Sequence, residues 1–222
     1  MTNSEIYVRI SDWIRIVQSL GTFEVKTIME IGSMNGEDAE ILSGFFQSRD
    51  VHIIEAHPLF AKQIAEKYLD FFVSNIAASN YDGRYIFNSV TPDSSNLGMS
   101  SLLEREENYP SYDIVYEPLE VPCLRMDSYC AIMEMDSIDL LKIDVEGFSY
   151  EVLEGFGDAL DIVKCIHVEC EHESVWKGQK LYPDVERLLI DKGFIPVSMR
   201  IGFPQSDSVW VRKELYNPNW AD

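Results

Sequence analysis

Apolar positions along the chain alternate between two periods. Over residues 5–20, Ile6, Ile10, Trp13, Ile14, Val17 and Leu20 recur every three or four positions, which places them on one helical face, and Gly21 stands where a C-terminal cap belongs. TIMEI (27–31) is a short apolar run that ends in a glycine-containing turn, and within 37–48 Ile41, Leu42, Phe45 and Phe46 return to helical spacing. VHIIE (51–55) then predicts a second buried strand, Pro58 the first turn of a helix, and Leu59, Phe60, Ile64, Ala65, Tyr68 and Leu69 its stripe. A third strand is expected at 71–77.

The rhythm changes between 83 and 125. RYIFNSV and LEVPCLR predict two antiparallel strands, joined by a long segment rich in Ser, Asn, Glu and Tyr, and irregular stretches of that length are usually functional or mobile. Alternation then resumes: helix 127–135, strand 138–143, helix 149–156, strand 164–170, helix 182–192, and two last strands at 194–200 and 207–213. Strand and helix in series predict an α/β, doubly wound, Rossmann-like fold, with a mainly parallel sheet and a C-terminal antiparallel hairpin. No linker or repeat divides the chain, so one domain is expected over 1–222, with 1–26 as an N-terminal helical extension and 83–125 as an inserted hairpin on the acceptor side.

Composition agrees with a globular chain and narrows its partners. Apolar residues make up 46% of the 222, enough for a core without recourse to disorder. Eighteen basic residues face 38 acidic ones, a net charge of −20, which repels phosphate backbones and anionic membranes, so neither nucleic acid nor membrane is an expected partner. The opening residues carry no basic segment followed by an apolar one, and no apolar run approaches a membrane span, which predicts a cytoplasmic protein. Cys123, Cys130, Cys165 and Cys170 form no CxxC pair and match no zinc spacing; reduced, mostly buried thiols are expected.

The chemistry concentrates at strand ends. EIGSMNG (30–36) closes the first strand and opens a helix: Gly32 lets the backbone pass close to a ligand, Ser33 follows it, Gly36 starts the helix, and Glu30 is placed to accept from a ligand ammonium. Glu55 ends the second strand just before Ala56, where a carboxylate can accept ribose hydroxyls. Together these point to an adenosine ligand. The loop lacks GxGxxG spacing and no tyrosine has a lysine four residues on, so S-adenosyl-L-methionine is the better expectation than NAD.

IDLLKIDVEGFSYEVLEG (138–155) is the most specific stretch. It resembles the KxDVEG signature of the FkbM family of methyltransferases, and LRMDSY, HVECE and DKGF add to the likeness, which covers roughly 27–213. The first loop departs from the family pattern at Glu30 and Ser33, where Asp and Ala are commoner. The resemblance implies a class I methyltransferase fold and an O-methyltransferase that acts on a hydroxyl of a small-molecule or saccharide acceptor, a sugar or other natural-product intermediate.

Removal of the hydroxyl proton needs a base in hydrogen-bond reach. Asp144, Glu169, Glu171 and His172 are the candidates, with Asp144, Glu169 and His172 as the catalytic set. Glu171 and His172 are expected in the loop beyond the fifth strand, and Lys142 is expected to hold a carboxylate, Asp144 or Glu146, by ion pairing. The same Asp144, Glu169, Glu171 and His172 are the residues that would hold Mg²⁺, although no sharp ligand spacing favours a metal. Tyr109, Tyr112, Tyr116 and Trp176 could stack on a sugar or serve packing alone. A non-catalytic adenosylmethionine-binding module and an NAD-dependent sugar-modifying enzyme are the alternative readings, and the sequence leaves a homo-oligomer open.

Overall fold

The computed structural model describes residues 9–91, 93–94, 96–109, 114–199 and 204–216. The first helix, α1 (Ile10–Leu20), ends on Gly21 at φ 59°, whose amide donates to the Val17 carbonyl, and Trp13, Ile14, Ile16, Val17 and Leu20 are buried. Residues 5–8 of the expected helix, Ile6 among them, lie outside the described residues.

From there the chain runs β1 (Thr27–Ile31), α2 (Glu37–Phe46), β2 (Asp50–Ile54), α3 (Pro58–Lys67), β3 (Phe72–Ser74), β4 (Ala77–Ser79), β5 (Gly83–Val90), β6 (Tyr116–Arg125), α4 (Met126–Ile132), β7 (Ile138–Ile143), α5 (Ser149–Phe156), β8 (Val163–Glu171), α6 (Tyr182–Asp191), β9 (Phe194–Met199) and β10 (Gln205–Arg212). Seven strands form one sheet in the order β3-β2-β1-β7-β8-β10-β9. Its first five strands are parallel, and β10 pairs antiparallel with both β8 and β9. Every residue of β1 and β7 is buried, as strands covered on both faces should be. One core holds Trp13, Ile28, Leu42 and Ile64 on the face of α1 and α2; the other joins Ile143, Val152, Phe156 and Leu189 with the small sheet. This is the doubly wound α/β architecture expected from the strand and helix alternation.

Two expectations about element bounds are corrected. The strand expected at 71–77 is two strands in two sheets: β3 edges the main sheet, while β4 pairs parallel with β6 in a three-stranded sheet ordered β4-β6-β5. The Asn75 side chain divides them by donating to the carbonyls of Glu55 and Ala56, and the Ile76 amide turns back to Ser74. The fifth parallel strand, β8, extends through Glu171, because Gln205 of β10 lies opposite and continues the ladder, so Glu171 is a strand residue and only His172 lies beyond.

The two sheets are locked together at α5. A Cβ on Gly155 would lie 2.0 Å from the Ser79 carbonyl oxygen, so helix and β4 meet backbone to backbone and any side chain would force them apart. The segment between β5 and β6 is tied down as well: Ser101 exchanges backbone hydrogen bonds with Asn88 of β5, and the Glu106 and Lys177 amides connect it to the loop after β8.

Candidate active site at the strand ends

The chain leaves β1 toward β2 on one side of the sheet and later returns on the other side as β7, so a crevice opens where the strand order reverses, outside the carboxyl ends. There the structure has a cavity of about 640 Å³, lined among others by Gly32, Ser33, Glu55, Ala56, Asp144, Glu146 and Glu169. Such a volume suits a small-molecule ligand.

Gly32 sets one wall. At φ 79° its amide donates to the Ile54 carbonyl, and a Cβ there would lie 1.8 Å from the Asp144 carbonyl oxygen, so the loop after β1 crosses the end of β7 at a distance only glycine allows. Ser33 accepts from the amide of Gly36, the N-cap residue of α2.

Glu55 organises this loop. Its Oε2 accepts from the Ser33 and Met34 amides at 3.1 and 2.8 Å, and its Oε1 accepts from the His57 amide at 2.7 Å. Burial raises its pKa against the pull of those amides and that of Ala56. Glu55 itself lines the cavity. Beside it Ile54, Ala56, Phe60, Ile76 and Ala77 make an apolar slot.

Glu30 sits behind the cavity and does not line it. It is 1% exposed, its Oε2 accepts from the Ala39 amide at 3.0 Å in the first turn of α2, and Lys142 Nζ stands 3.7 Å from Oε1. Burial lifts its carboxyl to about 7, with Lys142 pulling it down. Lys142 itself contacts Asp38 at 2.9 Å and Asp144 at 3.2 Å, so the expected pairing with Asp144 is present within a wider cluster that omits Glu146.

The far wall is acidic. Asp144, Glu146 and Glu169 each place a carboxylate oxygen within 4.8 Å of the other two. Glu146 has φ 50°, and Ser101 donates to its carbonyl at 2.6 Å. Gln205 fixes Glu169 Oε1 at 2.6 Å. Burial, then the neighbouring negative charges, pushes the carboxyls of Glu146 and Glu169 well above the ordinary range. Burial likewise lifts Glu171 to about 7, but Glu171 does not line the cavity.

His172 also stays off the cavity. Its Nε2 lies 2.7 Å from Ser206 Oγ and its ring packs 5.2 Å from that of Tyr182. Of the set Asp144, Glu169, Glu171 and His172, the fold therefore brings the first two together and adds Glu146 in place of the others.

Among the aromatic residues, Tyr109 lines the cavity, whereas Trp176 is fully buried. The Arg105 guanidinium lies 4.9 Å from the Tyr109 ring centre and 5.0 Å from that of Trp176. Tyr116 packs edge-on to Trp176, and Tyr112 lies outside the described residues. Sequence reasoning missed Arg105 and Gln205 as wall residues, since neither belongs to a motif.

Residues 30–196 match the Methyltransferase FkbM domain. The chain belongs to the FkbM methyltransferase family. It is 26% identical over 160 residues to the 2-O-methyltransferase NoeI of Sinorhizobium fredii, a match covering 68% of this chain and 66% of NoeI. Methyltransferase FkbM from Methylobacillus flagellatus superposes with a TM-score of 0.55 at 14% identity, over 85% of this chain and 44% of that one. The magnesium protoporphyrin IX methyltransferase ChlM of Synechocystis, solved with bound SAM, gives 0.52 at 9% identity over 91% and 77%. This FkbM-family chain thus spans under two thirds of NoeI and less than half of the Methylobacillus protein, and it has the class I methyltransferase fold. No described helix is long and apolar enough to cross a membrane.

Proposed function

We propose that the chain is an S-adenosylmethionine-dependent O-methyltransferase whose acceptor is a hydroxyl of a sugar or other natural-product intermediate. The observation that carries this reading is the strand-end cavity, with the Gly32 loop and Glu55 on one wall and Asp144 on the other, in a chain of the FkbM family. NoeI, named a 2-O-methyltransferase, supports oxygen as the methylated atom.

The residues present fit the cofactor. The apolar slot suits a flat purine, Glu55 offers the cavity a carboxylate for a ribose hydroxyl, and Gly32 leaves the backbone bare where the ligand would cross it. When bound, the cofactor would supply an electrophilic methyl group for the acceptor oxygen, with its sulfur as the leaving group that keeps the electron pair. Asp144, partly exposed on the opposite wall, orients the acceptor hydroxyl and receives its proton, while Lys142 holds the carboxylate at 3.2 Å. Glu30 supports α2 and Lys142 from behind.

Calorimetry with S-adenosylhomocysteine and a transfer assay with labelled methyl donor over a panel of polyols test the reading. Binding of NAD in place of adenosyl thioethers would overturn it. Asp144→Asn should lower kcat strongly while changing cofactor affinity less than about tenfold, ~1.4 kcal/mol. Near-normal turnover in that variant would remove Asp144 from the chemistry.

A further inference from the structure

We propose that Asp144, Glu146 and Glu169 hold a divalent cation of the Mg²⁺ or Mn²⁺ class at the acceptor end of the cavity. These side chains come from two places in the fold, the β7 exit and the end of β8, yet one carboxylate oxygen of each lies within 4.8 Å of the other two, and all three line the cavity.

Glu169 supplies the second observation. It is 6% exposed, Gln205 holds its Oε1, and its Oε2 is enclosed without a hydrogen-bond partner. A buried carboxylate oxygen left without a donor is costly and rare. The nearby charges that act most on Glu169 are negative, namely Asp144, Glu146, Glu171 and Asp207, while Arg105 offsets part of the charge at Glu146. Lys142 contacts Asp144, and its other partners are Asp38 and Glu30.

A set of oxygen donors alone selects Mg²⁺, Mn²⁺ or Ca²⁺ over softer metals. Around Mg²⁺ neighbouring ligand oxygens sit ~3 Å apart, so the three carboxylates need close by only ~1 to 2 Å. Three of six octahedral positions would remain for water or acceptor oxygens. Two adjacent hydroxyls of a sugar fill such positions, which narrows the acceptor to a vicinal diol. That role rests on the methyl-transfer reading; the binding of the ion does not.

The test is a Mn²⁺ titration of the whole chain followed by electron paramagnetic resonance, with Mg²⁺ as competitor, and with S-adenosylhomocysteine affinity measured separately by calorimetry. One saturable Mn²⁺ site displaced by Mg²⁺ is expected, weakened roughly tenfold or more in Glu169→Gln and in Glu146→Gln. Asp158→Asn, which alters a fully exposed carboxylate elsewhere, should leave it unchanged. Far-ultraviolet circular dichroism and an unfolding midpoint like the parent's show that the variants are folded. Absence of a saturable site up to millimolar Mn²⁺, or equal affinity in parent and both glutamine variants, overturns the proposal. If the parent binds Mn²⁺ as expected but no adenosyl thioether, the cation site stands and the proposed function falls.

Discussion

Replacing Glu55 with Gln tests the cofactor half of the cavity. The carboxylate accepts from three amides, two on Oε2 and one on Oε1. A carboxamide has one accepting oxygen, so if that oxygen serves Ser33 and Met34, an NH₂ group faces both the His57 amide and the ligand hydroxyl. One charge-assisted hydrogen bond to the ligand is then lost, ~1.5 to 3 kcal/mol, or about ten- to a hundredfold in affinity for S-adenosylhomocysteine. Stability should fall less than in Glu55→Ala, because glutamine keeps an oxygen for the Ser33 and Met34 amides that alanine would leave without an acceptor. The ionised form is the better acceptor, so parental affinity should weaken as pH falls through the raised pKa, above the ordinary 4.5, and the Gln variant should lack that dependence. Calorimetry across pH reads both effects. A dissociation constant within threefold of the parent, with the fold intact, would refute the ribose assignment.

Gly32→Ala should destabilise by at least ~3 kcal/mol in urea unfolding, since a left-handed alanine costs ~1 to 2 kcal/mol before the overlap with the Asp144 carbonyl is counted. Asp139→Asn should cost ~2 kcal/mol at neutral pH, because Asp139 is 1% exposed, accepts from the Lys26 and Thr27 amides and pairs at 2.6 Å with a Lys164 that is one third exposed. Burial would raise the Asp139 pKa, but Lys164 and the two amides lower it below 3.8. Its contribution is therefore present above pH ~4 and lost as pH falls through the folded value, so the stabilities of parent and variant should converge in acid.

Much of this architecture was legible because the chain states it in apolar runs. TIMEI, VHIIE and IDLLKI are strands covered on both faces, and such strands carry little polar alternation to confuse the reading. The split between β3 and β4 was not legible, since it depends on the Asn75 amide finding two carbonyls in another turn. Glu171 was misplaced for a similar reason: only the pairing of β10 shows how far β8 extends. At the site, Gly32, Glu55 and Asp144 stand out by position at strand ends. Glu146 does not, because strand periodicity stops at Ile143 and a left-handed residue in the following loop obeys no pattern. Glu30 looks like a ligand contact in the sequence; its use in holding α2 and Lys142 appears only once the helix is seen to start over it.

The backbone contact between Gly155 and Ser79 divides the molecule's freedom to change. Because that seam accepts no side chain, any substitution of Gly155 would push α5 and β4 apart and be punished through the core. The loop between β5 and β6, which carries Arg105 and Tyr109 to the cavity, is held at its described residues by hydrogen bonds of Ser101, Glu104 and Glu106 and not by a seam of this kind. Changes of cavity shape in descendants of this chain are therefore expected at Arg105 and Tyr109 before they are expected at the seam.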